Sequence, residues 1–506
     1  MDKKQTASAC LEQIRRRIPE ALAFVEAMGD MTLEELSACS PPAASPPQDG
    51  EDVIALARSL ASGLLSPALG QKIALALERD FRALTANHLG PDFHPEFSQG
   101  DIIFALRGLK ENIPAVPVLA WGCMPGNSFG HPRGILLGRG RAQSVRPGRL
   151  PVLPDKHRWV PLSLREAFTP DQPRRLLEKA VLSSPDCGRL TPAENAAARR
   201  LLAEVFCHPR VLEQKSYGDQ ATVMNSLLWE RLFAPSLPPP PPLISLDMTL
   251  FSLEIIRRDL FRPHSLIRCL LEPEVSVNLL HELNEVMGCW NLDRQGRGLS
   301  SGSFLFWGID RRKNFRPLSP DAACRRLLSA DGSIRLDLEP GALEAALAQR
   351  RILPGLLISF SALALARGLL CRGGVYQIGY LENMRRGVMR ALSRSGEKAL
   401  AEKLEHAPAG AMIGGFIPLR LREETPLPER GGEPEEPCRV ASPVDILAGG
   451  GLGADTLERL AAMPGKAAFA ATLPFHYEEI VPSSERLPGW LPALADNPGL
   501  FPDGRD

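Results

Sequence analysis

The chain has 506 residues, with 59 Lys or Arg and 59 Asp or Glu, so its net charge at neutral pH is zero. This length exceeds one ordinary hydrophobic core and predicts two or three domains. The balanced charge excludes a surface built throughout for nucleic acid or an acidic membrane. No apolar leader follows the charged amino terminus and the ten cysteines contain no C-x-x-C pair, so we expect reduced thiols and a cytoplasmic location.

Helical patterns dominate the first part of the chain. Residues 1–40 predict an amino-terminal helical segment, in which Thr32 and Glu35 have the spacing of a capping box. Residues 41–50 are rich in Pro and Ser and predict a linker. Residues 51–235 predict a helical domain, and Thr191 with Glu194 forms a second capping box before a helix that extends to about residue 206.

Within this domain, residues 112–154 contain no Asp and no Glu; we call them the acid-free segment. Its pattern predicts an extended stretch at 113–121 and a hairpin formed by 135–137 and 142–145. Arg offers a planar fork of hydrogen-bond donors, and Gly lets backbone N–H groups approach a ligand closely. The segment therefore predicts an anion site, with candidate residues Arg133, Arg139, Arg141, Gly126 and Gly130.

One thiol lies inside the acid-free segment. Cys123 has arginines and glycines on its carboxyl side, and this setting favours a lowered pKa and a nucleophilic role. His131 follows eight residues later and is the candidate base. The alternative is that Cys123 is a small apolar residue packed beside Trp121 in a core strand.

The second half begins after a polyproline linker at residues 236–243. Residues 244–422 predict a mainly helical domain with strands near 303–309 and 334–338. The apolar run 352–371 has the length of a membrane span, but Pro354 and Arg367 favour a buried core helix. Tyr376 and Gln377 follow this run beside a Gly turn and are candidates for lining a pocket, although tight packing of the turn explains them equally well.

The last part contains an acidic, Pro-rich stretch at 423–437 that predicts a flexible insertion, and a helical extension at 438–506. Residues 449–454 fit the dinucleotide pattern G-x-G-x-x-A, but no acidic residue closes a second strand, so a Gly-rich link between two helices is favoured. Residues 298–302 fit G-x-S-x-G, but the apolar strand follows the serine instead of preceding it. No histidines are paired at ligand spacing, so no metal site is predicted.

These patterns predict an α+β fold that is predominantly helical, with several domains and a few short antiparallel strands. The leading functional hypothesis is an enzyme that binds a phosphorylated or carboxylated small molecule through the acid-free segment. The alternative is a non-catalytic helical scaffold that binds a protein partner. Nucleic-acid binding is disfavoured because residues 122–150 contain a single aromatic residue, Phe129, for base stacking, and the sequence names no cofactor.

Overall fold

The structure is a computed structural model. It describes the following residues: 2–38, 50–125, 134–139, 147–151, 159–178, 190–295, 299–408, 410–422 and 438–495. The helices of these ranges are, in chain order, α1 (Lys3–Arg15), α2 (Pro19–Met28), α3 (Leu33–Ala38), α4 (Glu51–Leu64), α5 (Pro67–Arg79), α6 (Pro95–Glu111), α7 (Asp171–Glu178), α8 (Pro192–Leu201), α9 (Pro209–Leu212), α10 (Tyr217–Arg231), α11 (Met248–Asp259), α12 (Leu266–Leu270), α13 (Pro273–Glu282), α14 (Pro340–Ala348), α15 (Leu356–Phe360), α16 (Gln377–Arg394), α17 (Lys398–Glu405), α18 (Pro443–Ala448), α19 (Ala454–Ala461), α20 (Gly465–Ile480) and α21 (Trp490–Ala495).

The strands are short, and most of them lie between helices. In chain order they are β1 (Arg82–Leu84), β2 (Val116–Ala120), β3 (Gly134–Arg139), β4 (Pro147–Pro151), β5 (Leu243–Asp247), β6 (Trp290–Leu292), β7 (Leu299–Gly302), β8 (Phe306–Ile309), β9 (Phe315–Arg316), β10 (Leu318–Pro320), β11 (Arg326–Ser329), β12 (Arg335–Asp337), β13 (Ile352–Pro354), β14 (Leu370–Gly373), β15 (Ala411–Met412), β16 (Arg420–Arg422) and β17 (Cys438–Val440). The mixed fold with a majority of helix confirms the predicted fold class.

The centre of the molecule is a parallel sheet, which the sequence did not predict. Its strand order is β15-β14-β1-β2-β5, and each neighbouring pair is parallel. The first strand of this sheet, β1, therefore lies in its middle. β2 and then β5 lie on one side of β1, and β14 and then β15 lie on the other side. This is the winding of a doubly wound sheet, and its direction reverses between β1 and β14.

Both faces of this sheet are covered by helices. Along β2, Val116, Val118 and Ala120 belong to one hydrophobic core, whereas Leu119 belongs to the other. Successive side chains of a strand point to opposite faces, so the two cores lie on opposite sides of the sheet. The first core includes side chains of α6, α10 and α20, and the second includes side chains of α4, α5, α11 and α16.

Local signals predicted helix starts correctly. The Thr191 side chain accepts a hydrogen bond from the backbone of Glu194, whose carboxylate accepts one from the Thr191 N–H at 2.7 Å, and α8 follows. Thr32 and Glu35 form the same reciprocal pair before α3. The Gly-rich link at 449–454 joins α18 to α19, and Gly450 and Gly451 adopt φ angles of +88° and +89°, which suit glycine.

The apolar run 352–371 is not the single helix that its composition predicted. It contains β13, α15 with one π-helical turn at 361–365, and the first two residues of β14. Gly355 separates the strand from the helix, and Gly368 adopts a φ of +70° that ends the helical stretch. Within the described ranges, no helix combines the length and the apolar character needed to cross a membrane.

The other strands pair antiparallel, as the sequence predicted for its strand regions. β3 and β4 form the hairpin of the acid-free segment, but the second strand begins at Pro147, after the predicted 142–145. β8 and β12 occupy the strand regions predicted near 303–309 and 334–338. The proline run at 238–242 leads directly into β5, which pairs with β2 over its full length. Residues on both sides of the polyproline linker therefore share one sheet.

Candidate functional site

The carboxyl ends of the parallel strands lie at one edge of the central sheet, and this edge concentrates buried polar side chains. In doubly wound sheets, ligands bind in the crevice outside these strand ends, at the point where the winding reverses. Here that point lies between the loops that follow β1 and β14. We call the ionisable and amide side chains that follow β1, together with the last residue of β5, the carboxyl-edge cluster: Asn87, His88, Asp92, His94, Glu96, Asp101 and Asp247.

The loop between β1 and α6 is held by buried hydrogen bonds. Asn87 donates from Nδ2 to Oδ1 of Asp101 on α6, at 3.0 Å. Asn225 on α10 accepts from the backbone N–H of Asp92 at 2.9 Å and donates to the carbonyl of Gly90 at 2.9 Å. Both amides therefore fix the position of the Asp92 backbone relative to Asp101.

Asp92 and Asp101 form a buried pair of carboxyl groups. Burial raises the pKa of Asp92 to about 7, while its polar neighbours Asp101 and Asn87 lower it. Burial and then the charge of Asp92 raise the pKa of Asp101 well above its ordinary value. Asp101 and Asn87 are the polar side chains that interact with the Asp92 carboxyl group. Two carboxylates this close favour a state in which one of them holds a proton.

Two histidines of the same loop lie among aromatic rings. The His88 ring packs edge-on against Phe97 with a centroid distance of 5.1 Å, and burial lowers the pKa of His88 to about 4. His94 lies 4.9 Å from the same ring. Glu96, in the first turn of α6, has its pKa raised by burial and by the charge of Glu479 on α20. The loop therefore carries both an imidazole that stays neutral at pH 7, that of His88, and carboxyl groups with raised pKa values.

Asp247 ends β5 and caps α11 with one oxygen. Its Oδ1 accepts hydrogen bonds from the backbone N–H groups of Thr249 at 2.8 Å and Leu250 at 3.2 Å. Burial raises the pKa of Asp247 to about 6, and the nearby Ser163 hydroxyl is the largest opposing influence. Gly122, two residues after the end of β2, lies against this carboxylate, and its N–H donates to the Thr249 hydroxyl at 3.1 Å.

The close approach at Gly122 gives a prediction. A Cβ atom at this position would lie 2.1 Å from Oγ of Ser163 and 3.0 Å from Oδ1 of Asp247, so Gly122→Ala is expected to lower the free energy of unfolding by about 1–3 kcal/mol. Gly218→Ala, on the other side of Asp247 in α10, is the matched control. Its nearest contact is 3.3 Å, and alanine favours the helix. Urea unfolding of both variants measures the difference, and equal losses would contradict the packing argument.

Cys123 lies at this edge, but its surroundings differ from the expectation. Burial and then the charge of Asp247 raise its pKa well above the ordinary value, whereas the hypothesis of a nucleophilic thiol requires a lowered pKa. A buried site with an acidic neighbour disfavours the charged thiolate. The side chain packs in the second hydrophobic core, as the alternative interpretation stated.

Most other residues predicted from the acid-free segment lie outside the described ranges. These are Gly126, Gly130, His131, Arg133 and Arg141. Arg139 is the last residue of β3, and the structure describes its backbone but not its side chain. The roles assigned to these residues stay predictions. The structure shows that β2, which lies within the segment, ends at the same sheet edge as the carboxyl-edge cluster.

The two candidates for pocket lining lie on the far side of the switch point. Gln377 begins α16, is 2% exposed, and donates from Nε2 to the hydroxyl of Thr85 at 2.7 Å. Thr85 is the first residue after β1, and its N–H donates to the carbonyl of Arg372 at 2.7 Å. Tyr376 is half-buried against the first core. Gln377 therefore ties together the two loops between which a doubly wound sheet binds its ligand.

The sequence analysis missed the loop that carries most of the cluster. Between Asn87 and Asp101 the chain contains two of its nine histidines, at positions 88 and 94, together with Asp92 and Glu96. This loop follows a short strand and precedes a helix, which is the setting of ligand loops in doubly wound sheets. The sequence contained this signal, but β1 has only three residues and lies within the range 51–235, which was predicted as a helical domain.

No group of three or more His, Cys, Asp or Glu side chains in the described part of the chain could hold a metal ion. Comparison of the sequence with models of protein families gives no match. Comparison with curated proteins likewise gives no similar sequence.

Proposed function

We propose that this protein is an enzyme that binds a phosphorylated or carboxylated small molecule in the crevice at the carboxyl edge of its central sheet. One observation carries the proposal. Asp92 is 3% exposed and lies beside a second buried acid, Asp101, and burial raises the pKa of both carboxyls. Burying such a group costs free energy, and strongly shifted acids in clefts are typical of functional sites.

The topology supports the same position. The cluster is carried mainly by the loop after β1, the strand at which the winding of the sheet reverses. Crevices at this point bind ligands in doubly wound proteins of many activities, so the topology supports a binding site without specifying a reaction. The carboxyls with raised pKa would supply general acid–base catalysis near neutral pH.

The acid-free segment supports an anionic ligand. It leaves the central sheet at the carboxyl end of β2 and later forms the separate two-stranded β3–β4 hairpin, in which Arg139 is the last residue of β3. In this proposal Arg133, Arg139 and Arg141 bind the phosphate or carboxylate, while the carboxyl-edge cluster faces the rest of the molecule. Cys123 is not given a catalytic role, because its raised pKa opposes formation of a thiolate.

A thermal-shift panel tests the proposal. Its ligands are ATP, coenzyme A, nicotinamide dinucleotides, sugar nucleotides, sugar phosphates and dicarboxylates at matched ionic strength. A ligand at one hundred times its dissociation constant adds about 2.7 kcal/mol to the free energy of unfolding, which is expected to give a measurable shift. We expect a shift with at least one class, and its loss in the double variant Arg139→Ser with Arg141→Ser.

The matched control replaces two other arginines of the chain. Arg311 and Arg312 are exposed and lie in the turn between β8 and β9, so Arg311→Ser with Arg312→Ser is expected to keep the ligand shift. Equal loss in both double variants would indicate a nonspecific charge effect and contradict the assigned anion site. If no ligand in the panel shifts the wild-type protein, the enzyme proposal fails and the scaffold alternative is favoured.

A further inference from the structure

A cavity of about 190 Å³ opens at the opposite edge of the central sheet, where β1 and β2 begin. Its walls also include the carboxyl-terminal parts of α5 and α6. We call it the amino-edge cavity, and its charged side is formed by Arg79, Asp80, Arg82, Arg107 and Glu111. We infer that it binds a small monocarboxylate with an apolar body. This inference is independent of the proposed function, whose site lies at the carboxyl edge.

The charged side of the cavity carries three arginines and two acids, so it has one positive charge in excess. Nε of Arg82 lies 2.6 Å from Oδ2 of Asp80, and Nε of Arg107 lies 3.0 Å from Oε2 of Glu111. Glu111 also accepts a hydrogen bond from Nη2 of Arg79 at 3.2 Å. The hydrogen bond from Arg107 lowers the pKa of Glu111, and the charges of all three arginines add to this effect. The three guanidinium groups therefore lie close to one another.

Two of these arginines have donors that the acids do not use. Within the described ranges, Arg79 contacts an acid only through Nη2, which leaves its Nε and Nη1. Arg107 donates to Glu111 through Nε, and its Nη1 lies 3.8 Å from Asp80, beyond hydrogen-bond distance. The side chains of Arg79 and Arg107 are 50% and 31% exposed, so a ligand can reach them. A guanidinium presents a planar fork of donors that matches a carboxylate.

The backbone at this edge favours a single negative charge on the ligand. Helix α5 ends at Arg79 and helix α6 ends at Glu111, so the carboxyl ends of both helices lie beside the cavity. Carbonyl groups at the end of a helix carry a partial negative charge. They offset part of the positive excess of the side chains. A monocarboxylate is therefore favoured over a dianion such as a phosphate monoester.

The other side of the cavity is apolar and sets the size of the ligand body. Phe104, Ile113, Pro114 and Pro117 line it, and the prolines have no backbone N–H to offer a ligand. An apolar cavity of about 150 Å³ is large enough to bind benzene. The amino-edge cavity is somewhat larger, at about 190 Å³. It therefore suits a carboxylate that is attached to an apolar group of the size of one ring.

Titration calorimetry at pH 7 and matched ionic strength tests the inference with four probes. They are benzoate, its neutral analogue benzamide, acetate without the ring, and the dianion phenyl phosphate. We expect benzoate to bind about tenfold or more tightly than benzamide, which lacks the charge, and acetate, which lacks the apolar body. We also expect it to bind more tightly than phenyl phosphate. No binding of benzoate, equal binding of benzamide or tighter binding of phenyl phosphate would overturn the inference.

Two replacements with opposite expected effects locate the bound benzoate. Arg79→Gln removes a guanidinium and is expected to weaken benzoate binding about tenfold. Glu111→Gln releases Arg79 and Arg107 from their shared acid and is expected to strengthen binding about threefold, the usual scale of an exposed ion pair. A general loss of structure would weaken binding in both variants. Weaker binding in both, or no change in either, contradicts the inference.

The matched controls are Arg58→Gln and Glu78→Gln. These residues form an ion pair of 3.1 Å in which both side chains are 45% exposed, and neither residue lines the cavity. Both variants are expected to bind benzoate as the wild-type protein does, and effects as large as those at Arg79 and Glu111 would contradict the assigned site.

The double variant Arg139→Ser with Arg141→Ser separates this inference from the proposed function. It is expected to keep benzoate binding, and loss of binding would move benzoate to the acid-free segment and overturn the inference. If benzoate binds as expected but no ligand of the thermal-shift panel shifts the protein, the inference stands and the proposed function fails.

Discussion

Replacing Arg367 by methionine is expected to lower the free energy of unfolding by about 3–5 kcal/mol. The guanidinium is 2% exposed and makes four hydrogen bonds of 2.8 Å to carboxylates, two with Asp52 on α4 and two with Asp259 on α11. It also donates to the carbonyl of Ala362 at 3.0 Å. Without Arg367, two buried or half-buried carboxylates lose their main partner. Chemical unfolding followed by circular dichroism measures the loss.

An exposed ion pair provides the control. Arg326 donates to Asp337 at 2.9 Å, but the two side chains are 49% and 60% exposed, so Arg326→Met is expected to cost less than about 1 kcal/mol. Adding Asp52→Leu and Asp259→Leu to Arg367→Met is expected to recover part of the larger loss, because no uncompensated charge is then buried. If the Arg367 and Arg326 variants lose equal stability, burial does not govern this ion pair.

In contrast to Arg367→Met, Asp92→Asn is expected to raise the free energy of unfolding at alkaline pH. In the unfolded chain the carboxyl ionises around its ordinary pKa of 3.8, but in the folded protein it resists ionisation until about pH 7. Between these values the unfolded state binds fewer protons, so wild-type stability falls as the pH rises. Asparagine carries no such penalty. We expect a gain of about 1–3 kcal/mol at pH 8 and little gain at pH 4.

Urea unfolding of both proteins at pH 4, 6 and 8 measures this gain. Burial lowers the pKa values of His88 and His476 to about 4. Both histidines titrate in both proteins, so their contributions to the free energy of unfolding largely cancel in the difference. Asp337→Asn is the control and is expected to show no rise with pH. A constant difference from pH 4 to 8 would show that Asp92 ionises normally in the folded state.

A stabilising Asp92→Asn would also bear on function. Proteins keep groups that cost stability where those groups perform chemistry, so a residue whose replacement stabilises the fold and weakens ligand binding belongs to the site. Arg367 gives the contrasting case. Its hydrogen bonds are satisfied within the protein, and its replacement is expected to affect stability without changing ligand binding. Measuring both properties on both variants separates a functional charge from a structural one.

The parts of the fold that the sequence predicted are those set by neighbouring residues. The capping boxes at Thr32 and Thr191 act over three positions, so their helix starts could be read directly. The Gly-rich link between α18 and α19 and the hairpin of the acid-free segment are also local. The apolar run 352–371 was wrongly predicted as one helix, because a continuous apolar pattern is the same for a buried helix and a buried parallel strand.

By itself, the sequence determined the helix starts, the local turns and the excess of positive charge in the acid-free segment. Only the tertiary structure decided the parallel sheet, because three of its five strands have four residues or fewer and pair with distant segments, as Leu84 does with Arg372. The same applies to the site. His88, Asp92 and His94 stand close together in the sequence, but their significance depends on the reversal of winding beside β1. Parallel pairing joins residues far apart in the chain, so no local pattern records which strand ends share an edge.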